Sequence, residues 1–311
     1  MARSRVAVWT GGRAFTVEER PVPEPGPGEV RVAVHSCGVC MTEVHSLEGY
    51  FTVREPPFVL GHEWGGVVEA VGPGVAGVSI GTRVAGSGMG GYADHVVLAA
   101  DRVFPLPTEA RLDEAAFVEP LACLIEVVKR GQVPPGSSAL ITGAGPMGLM
   151  LLQLVRRAGA RVLVSEPAAA RRELARELGA EQAIDPTRES LADAVAAFTD
   201  GQGVATAFET AGHPAPLGQC LEALAVDGTA VVVGVAPAST RLDLGLYPFH
   251  RRNLTLRGVY GGSDFAAAAK LLGTLELQPI VSHRVGLAGI AEGFETARTG
   301  RGLKVLVEMG L

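Results

Sequence analysis

Four side chains in the first 120 residues are of types that hold a divalent metal: Cys40, His62, Glu63 and Glu119. Each sits in a context that suggests placement. Cys40 closes a Cys-Gly-Val-Cys segment behind a strand-like run, His62 and Glu63 lie in Gly-His-Glu-Trp-Gly-Gly ahead of another, and Glu119 stands where a helical pattern begins. A thiolate, an imidazole and one or both carboxylates make a borderline-soft, open site suited to zinc. Taken singly, each signal is weak, because a His beside a Glu is more often structural and a lone Cys-x-x-Cys serves redox chemistry or packing equally well.

A second constellation is sharper. Gly143, Gly145 and Gly148 form Gly-x-Gly-x-x-Gly directly behind the apolar run 138–142 and directly ahead of the apolar helical pattern 147–158. That strand-turn-helix context is what a dinucleotide fingerprint requires. Gly143 permits the tight turn and Gly145 lets the backbone approach a pyrophosphate. Gly148 allows close packing of helix on strand, and the helix N-terminus, with Pro146 and Met147, supplies amide donors. Glu166 ends the following strand, 18 residues beyond Gly148, where a carboxylate accepts from ribose hydroxyls and repels a 2′-phosphate, favouring NAD over NADP. Arg171 and Arg172 follow. They weaken that preference, because an arginine there can meet a 2′-phosphate; a solvated helix face is the more frequent reading of the pair, and Arg171 is placed beside the cofactor.

The elements that must position these groups change character near residue 120. Before it, short alternating segments at 30–34, 66–71 and 93–98 are separated by Pro/Gly punctuation, a β-rich pattern. After it, strand candidates at 138–142, 161–165, 183–184, 205–208, 229–233 and 254–259 alternate with helical patterns. That alternation implies βαβ units and a parallel doubly wound sheet, an α/β fold. From about 282 short strand patterns return. The expected division is a discontinuous, mainly β domain of residues 1–119 and 283–311 around a Rossmann dinucleotide-binding domain of residues 120–282.

Composition narrows the class of function. The 33 acidic and 27 basic residues give a formal charge of −6 with no basic tract, which argues against a nucleic-acid surface. No run approaches the length of a membrane span and the N-terminus lacks a signal-peptide pattern, so a cytoplasmic location is expected. Four scattered cysteines, Cys37, Cys40, Cys123 and Cys220, are too few for a disulfide framework. Only 3 of the basic residues are lysines; the skew toward arginine suggests no ligand.

Taken together, GVCMTEVH at 38–45, GHEWGGVVEAVGPGV at 61–75, EPLACLIEVVKRG at 119–131, TGAGPMG at 142–148 and ETAG at 209–212 resemble the zinc-dependent medium-chain dehydrogenase/reductase family. The likeness is closest in style to its sorbitol and threonine dehydrogenase branches and covers nearly the whole chain. The resemblance implies a GroES-like catalytic domain beside the Rossmann domain, with Cys40 and His62 as zinc ligands and Cys37 as a buried neighbour. Glu63 and Glu119 share the remaining carboxylate role in an order left open. Thr42 and His45 resemble the family's proton relay, and Thr42 lies only two positions from Cys40.

Two departures stand out. Residues 86–91, Gly-Ser-Gly-Met-Gly-Gly, run straight into the next strand where most relatives carry a four-cysteine lobe, so one catalytic zinc and no structural zinc is expected. Glu43 replaces the aspartate usual after the relay hydroxyl. Met41 also departs from the family's small or basic residue.

The implied activity is hydride transfer between NAD(H) and a secondary alcohol, polyol, cyclitol or sugar-type hydroxyl or ketone. Its partners would be a small-molecule substrate and a second or further copies of the chain, as homodimer or homotetramer. The competing readings are a zinc-free quinone or enoyl reductase and a catalytically silent NAD-binding protein. Trp64, Tyr50 and Phe51 are candidates for an apolar wall near the metal, and each reads equally well as core.

Overall fold

The computed structural model describes residues 2–52 and 54–311. The chain divides into two compact units, residues 1–122 with 264–311 and residues 123–263.

The first unit opens with a hairpin, β1 (Arg3–Gly11) and β2 (Ala14–Pro21), beyond the segments expected from the sequence. Next come β3 (Glu29–Gly38), the short helix α1 (Met41–Leu47), β4 (Glu63–Val71), β5 (Arg83–Ser87), β6 (His95–Ala99) and β7 (Val103–Pro105). A 3₁₀ turn at Leu112–Phe117 leads into α2 (Val118–Gly131). β3 is the central strand. Val30, Val32 and Val34 alternate into the core, and β3 pairs antiparallel with β4 and β6. Inward-facing valines at period two are what fixes this register, since a slip by one residue would turn them all outward.

The second unit is a six-stranded, all-parallel sheet: β8 (Ser138–Thr142), β9 (Arg161–Ser165), β10 (Gln182–Ile184), β11 (Val204–Glu209), β12 (Leu224–Val232) and β13 (Thr255–Gly258). Its spatial order is β10-β9-β8-β11-β12-β13, the doubly wound order of a Rossmann fold. Helices α3 (Pro146–Arg157), α4 (Ala169–Glu177), α5 (Leu191–Phe198), α6 (Pro214–Ala223) and α7 (Leu246–Arg251) supply the connections. Ala139, Leu140, Ile141 and Thr142 of β8 are all buried, the continuous run of a strand covered on both faces.

The chain then returns to the first unit with α8 (Phe265–Leu271), β14 (Val281–Gly286), α9 (Ile290–Arg298) and β15 (Lys304–Glu308). Residues 264–282, expected with the parallel sheet, group with the first unit instead. The reason is a side-chain contact. Phe265 of α8 stacks on Phe104 of β7 with ring centroids 5.0 Å apart. β15 pairs parallel with β14 and antiparallel with β3, so the C-terminal strand lies directly beside the strand that leads to Cys40.

Candidate metal centre and dinucleotide cradle

Three of the four expected ligands converge. Ligand atoms of Cys40, His62 and Glu63 all lie within 4.8 Å of one another. Register explains the meeting: Gly38 at the end of β3 pairs with Glu63 at the start of β4, which sets Cys40, two residues on, beside His62 and Glu63. Cys40 is also the N-cap of α1. Glu119, in the first turn of α2, stands outside this set of three. It is close enough to act electrostatically on Lys304.

The His62 ring is oriented by Glu43. The Glu43 carboxylate is fully buried, and its Oε1 lies 2.9 Å from His62 Nδ1 while also accepting from the Gly61 amide at 2.7 Å. Its other oxygen accepts from the Tyr92 hydroxyl at 2.7 Å. Burial pushes the Glu43 carboxyl up, but the His62 ring, the Tyr92 hydroxyl and the Gly61 amide outweigh it and hold the group below the usual carboxylate range. Burial works against charge on His62 as well. Glu43 and Cys40 overcome that and hold its proton well above the ordinary imidazole range. Nδ1 facing a carboxylate leaves Nε2 as the atom for a metal, the usual arrangement at histidine ligands. Thiolate, imidazole and carboxylate on separate elements, with the imidazole tautomer fixed from behind, suit a zinc ion.

Thr42 and His45 lie on α1 behind Cys40. His45 is half-buried and stacks on Tyr50 at 4.7 Å, and burial pulls its pKa below the ordinary value. Its Nδ1 is buried without a hydrogen-bond partner. A neutral imidazole with an unused nitrogen can accept a proton.

Of the two readings of Trp64, the structure selects the core. Its ring is 1% exposed and its Nε1 donates to the Gly88 carbonyl at 2.7 Å, so it is core rather than a wall open to substrate. The glycine run 86–91 wraps that ring, and a Cβ at Gly86 or Gly91 would run into it. Cys37 is buried and free beside Gly61 and Gly91, and burial raises its thiol well above the ordinary range.

In the second unit the glycine turn is built from backbone. Gly143 takes φ +100° and its amide donates to Ser165 O at 2.8 Å. α3 begins at Pro146 with Gly145 as N-cap. A side chain at Gly145 would meet nothing within 4 Å, whereas one at Gly148 would strike Gly143 O. Space at the first and contact at the second are the two requirements of a pyrophosphate cradle. Met147 is half-buried in the first turn of the same helix.

Glu166 does more than the sequence suggests. Its carboxylate, 5% exposed, accepts from Ala144 N at 2.7 Å and Ala168 N at 2.9 Å, bracing the glycine turn against the end of β9. Each oxygen keeps a lone pair for a further donor. Arg171 lies half-buried on α4. Arg172 is no solvated face: it pairs with Asp185 at 3.3 Å and donates to the Glu166 and Pro167 carbonyls.

Three supporting residues went unassigned in the sequence. Thr210 donates to the Thr142 and Gly143 carbonyls, both at 2.9 Å, and Glu209, raised by burial, accepts from Ala211 and Gly212 at 2.7 and 2.8 Å. These belong to ETAG, whose position after a strand was the available signal. Lys304, buried beside Glu63, carried no local signal at all.

Comparison with known proteins agrees with both halves. A family profile described as zinc-binding dehydrogenase matches residues 146–274, and one described as alcohol dehydrogenase GroES-like domain matches residues 26–108. The chain is 32% identical to L-threonine 3-dehydrogenase of Pyrococcus abyssi over 98% of its own length and 99% of that protein's. Among solved structures it is similar to a protein of Sinorhizobium meliloti described as a zinc-binding dehydrogenase bound to NADP, with TM-score 0.92, 28% identity and coverage of 99% and 100%. It is also similar to 2R,3R-butanediol dehydrogenase of Bacillus subtilis, with TM-score 0.89, 26% identity and coverage of 98% and 99%. On the strength of these matches over the whole chain, it belongs to the zinc-dependent medium-chain dehydrogenase family.

Proposed function

We propose that the protein is an NAD(H)-dependent dehydrogenase of secondary alcohols, of polyol, cyclitol or sugar type, with one catalytic zinc held by Cys40, His62 and a carboxylate. The observation that carries the reading is the convergence of Cys40, His62 and Glu63 within 4.8 Å, with His62 oriented by the buried Glu43. A zinc ion there would act as a Lewis acid on a hydroxyl or carbonyl oxygen, and NAD would accept or return the hydride. Cys40 and His62 hold the ion, while Glu63 and Glu119 are the carboxylates available to it. Thr42 passes a proton from the substrate hydroxyl toward His45, whose open Nδ1 suits that role. Gly143, Gly145 and Gly148, with Pro146 and Met147, receive the pyrophosphate. Glu166 and Arg171 face the adenosine ribose, and the carboxylate favours NAD over NADP although the Sinorhizobium neighbour is described with NADP. The threonine and butanediol named for two relatives both present a secondary hydroxyl, which supports that substrate class.

No helix among the described residues is long and apolar enough to cross a membrane. Together with four free cysteines this supports a cytoplasmic setting. The edge strand β13, with exposed Leu256 and with exposed Tyr260 two residues beyond its end, is the surface for a second copy in a homodimer or homotetramer.

Elemental analysis of the purified protein, joined to a panel of secondary alcohols with NAD⁺ and NADP⁺, tests the reading. One zinc per chain and NAD⁺-linked turnover are expected, with Cys40→Ser losing the metal and at least about 10³-fold in rate. No stoichiometric zinc would favour the quinone or enoyl reductase. NADH binding without turnover of any substrate would favour the silent protein.

A further inference from the structure

Two acidic residues stand side by side at the ends of neighbouring parallel strands. Ile184 of β10 pairs with Ser165 of β9, so the next residues, Asp185 and Glu166, leave the sheet together, and the Glu166 amide donates to the Ile184 carbonyl at 3.1 Å. Their side chains take different partners. Glu166 accepts from the Ala144 and Ala168 amides of the glycine turn and the helix start, whereas Asp185 pairs with Arg172 of α4.

Arg172 ties three pieces of the chain together. Its Nη1 donates to the Glu166 carbonyl at 2.8 Å and the Pro167 carbonyl at 2.7 Å, and lies 3.3 Å from Asp185 Oδ2. The two side chains are only 14% and 11% exposed. The other Asp185 oxygen accepts from the Thr187 hydroxyl at 2.6 Å and the Thr187 amide at 3.0 Å. Those bonds from Thr187, with the charges of Arg172 and Arg188, outweigh burial and hold the Asp185 carboxyl below the usual carboxylate range. An arginine shortly after the strand-end acid is the kind of group that accommodates a 2′-phosphate. Swinging Arg172 toward one would strip two carbonyls of their donor and leave Asp185 without its ion-pair partner, a cost that phosphate binding would first have to offset.

We propose that the Arg172–Asp185 pair is a lock that determines cofactor choice: it fastens Arg172 to the scaffold, so that a cofactor meets the Glu166 carboxylate at its ribose without this arginine to neutralise a 2′-phosphate. The proposal rests on the NAD reading above and accounts for two adjacent arginines on α4 beside a site that prefers a free 2′-hydroxyl. Arg172 and Asp185 are positioning residues that act through the corner carrying Glu166. Arg171 is the same in every variant below, so its contribution cancels in the comparison.

The test is made on the full-length protein by fluorescence titration with NADH and with NADPH, which reads binding without a substrate. The wild type should favour NADH. Asp185→Ala releases the guanidinium, and that preference should fall about tenfold, chiefly through tighter NADPH. Adding Arg172→Met to this variant should abolish the gain in NADPH. Arg172→Met alone should weaken NADH several-fold, because the carbonyls at the Glu166 corner lose their donor, and should not tighten NADPH. Asp185→Asn, which removes the charge but keeps an oxygen for Thr187, should act in the same direction as Asp185→Ala and serves if the alanine variant does not fold. A pair that served packing alone would weaken both cofactors by one factor and leave their ratio unchanged. Beside a wild type that prefers NADH, that outcome would overturn the lock and leave the NAD reading standing. A wild type that binds NADPH as tightly as NADH would overturn both.

Discussion

The two functional regions of the chain are built on opposite plans. In the parallel-sheet unit the groups aimed at a ligand are backbone, and the buried side chains serve the backbone: Glu166 holds the Ala144 and Ala168 amides, and Thr210 holds the Thr142 and Gly143 carbonyls. In the β-rich unit the groups proposed to hold a metal are side chains, and other side chains hold them, Glu43 on His62 and Lys304 on Glu63. The first plan needs particular residues close together in sequence. The second needs residues brought from distant strands.

That contrast can be broken most forcefully at the glycines. Gly148→Ala drives a Cβ into a backbone oxygen, which cannot move aside as a side chain would, and should cost about 3 kcal/mol, roughly 10 °C in melting temperature. Gly145→Ala enters open space and should cost under about 1 kcal/mol, yet weaken NADH about tenfold or more in a fluorescence titration. Equal stability losses in the two variants, or unaltered NADH affinity in the second, would remove the distinction between packing and ligand approach.

A smaller effect should appear with pH in the metal unit. His62 holds its proton above the ordinary imidazole range, and a metal must displace that proton. Affinity for zinc should therefore fall as pH falls, by about tenfold or more per unit below the pKa of His62, beginning at a higher pH than for a free imidazole. Chelator competition across pH 5 to 8 checks this. Affinity flat over that window would mean that neither His62 nor Cys40 competes with protons for the ion. NADH binding, made through backbone, should change far less over the same range.

The smallest effect is expected one bond further out. Tyr92→Phe leaves a buried Glu43 oxygen without its donor and loosens the group that orients His62, so zinc affinity should drop several-fold, within about tenfold. Circular dichroism of the metal-free protein should remain that of a folded chain. A zinc affinity identical to wild type would confine Tyr92 to packing.

Much of this was legible in the sequence, though unevenly. The strand-turn-helix around Gly143 could be read because the turn, the helix start and the flanking apolar runs are neighbours in the chain. That these strands form a parallel, doubly wound sheet followed from the βαβ alternation, whereas their order came only from the structure. The hairpin β1–β2, whose partners lie 3 to 18 residues apart, was missed, and so was α9, whose short amphipathic pattern lies between two strands. Trp64 could be read as pocket wall or as core, and it closes against Gly86, Gly88 and Gly91, a run whose glycines are explained only once the ring is in place.

By itself the sequence determined which atoms are available: a thiol, an imidazole, two carboxylates and a glycine turn, each with a local context that dictates its backbone geometry. The tertiary structure decided which of them meet. Glu43 and Tyr92 lie 49 positions apart and Lys304 and Glu63 lie 241 apart; the first pair joins α1 to the segment between β5 and β6, and the second exists because antiparallel register aligns β3 with β4 and β15. Register is set by whole rows of inward-facing side chains rather than by the residues that make the contact, which is why the ion pair could not be found from its own sequence neighbourhood.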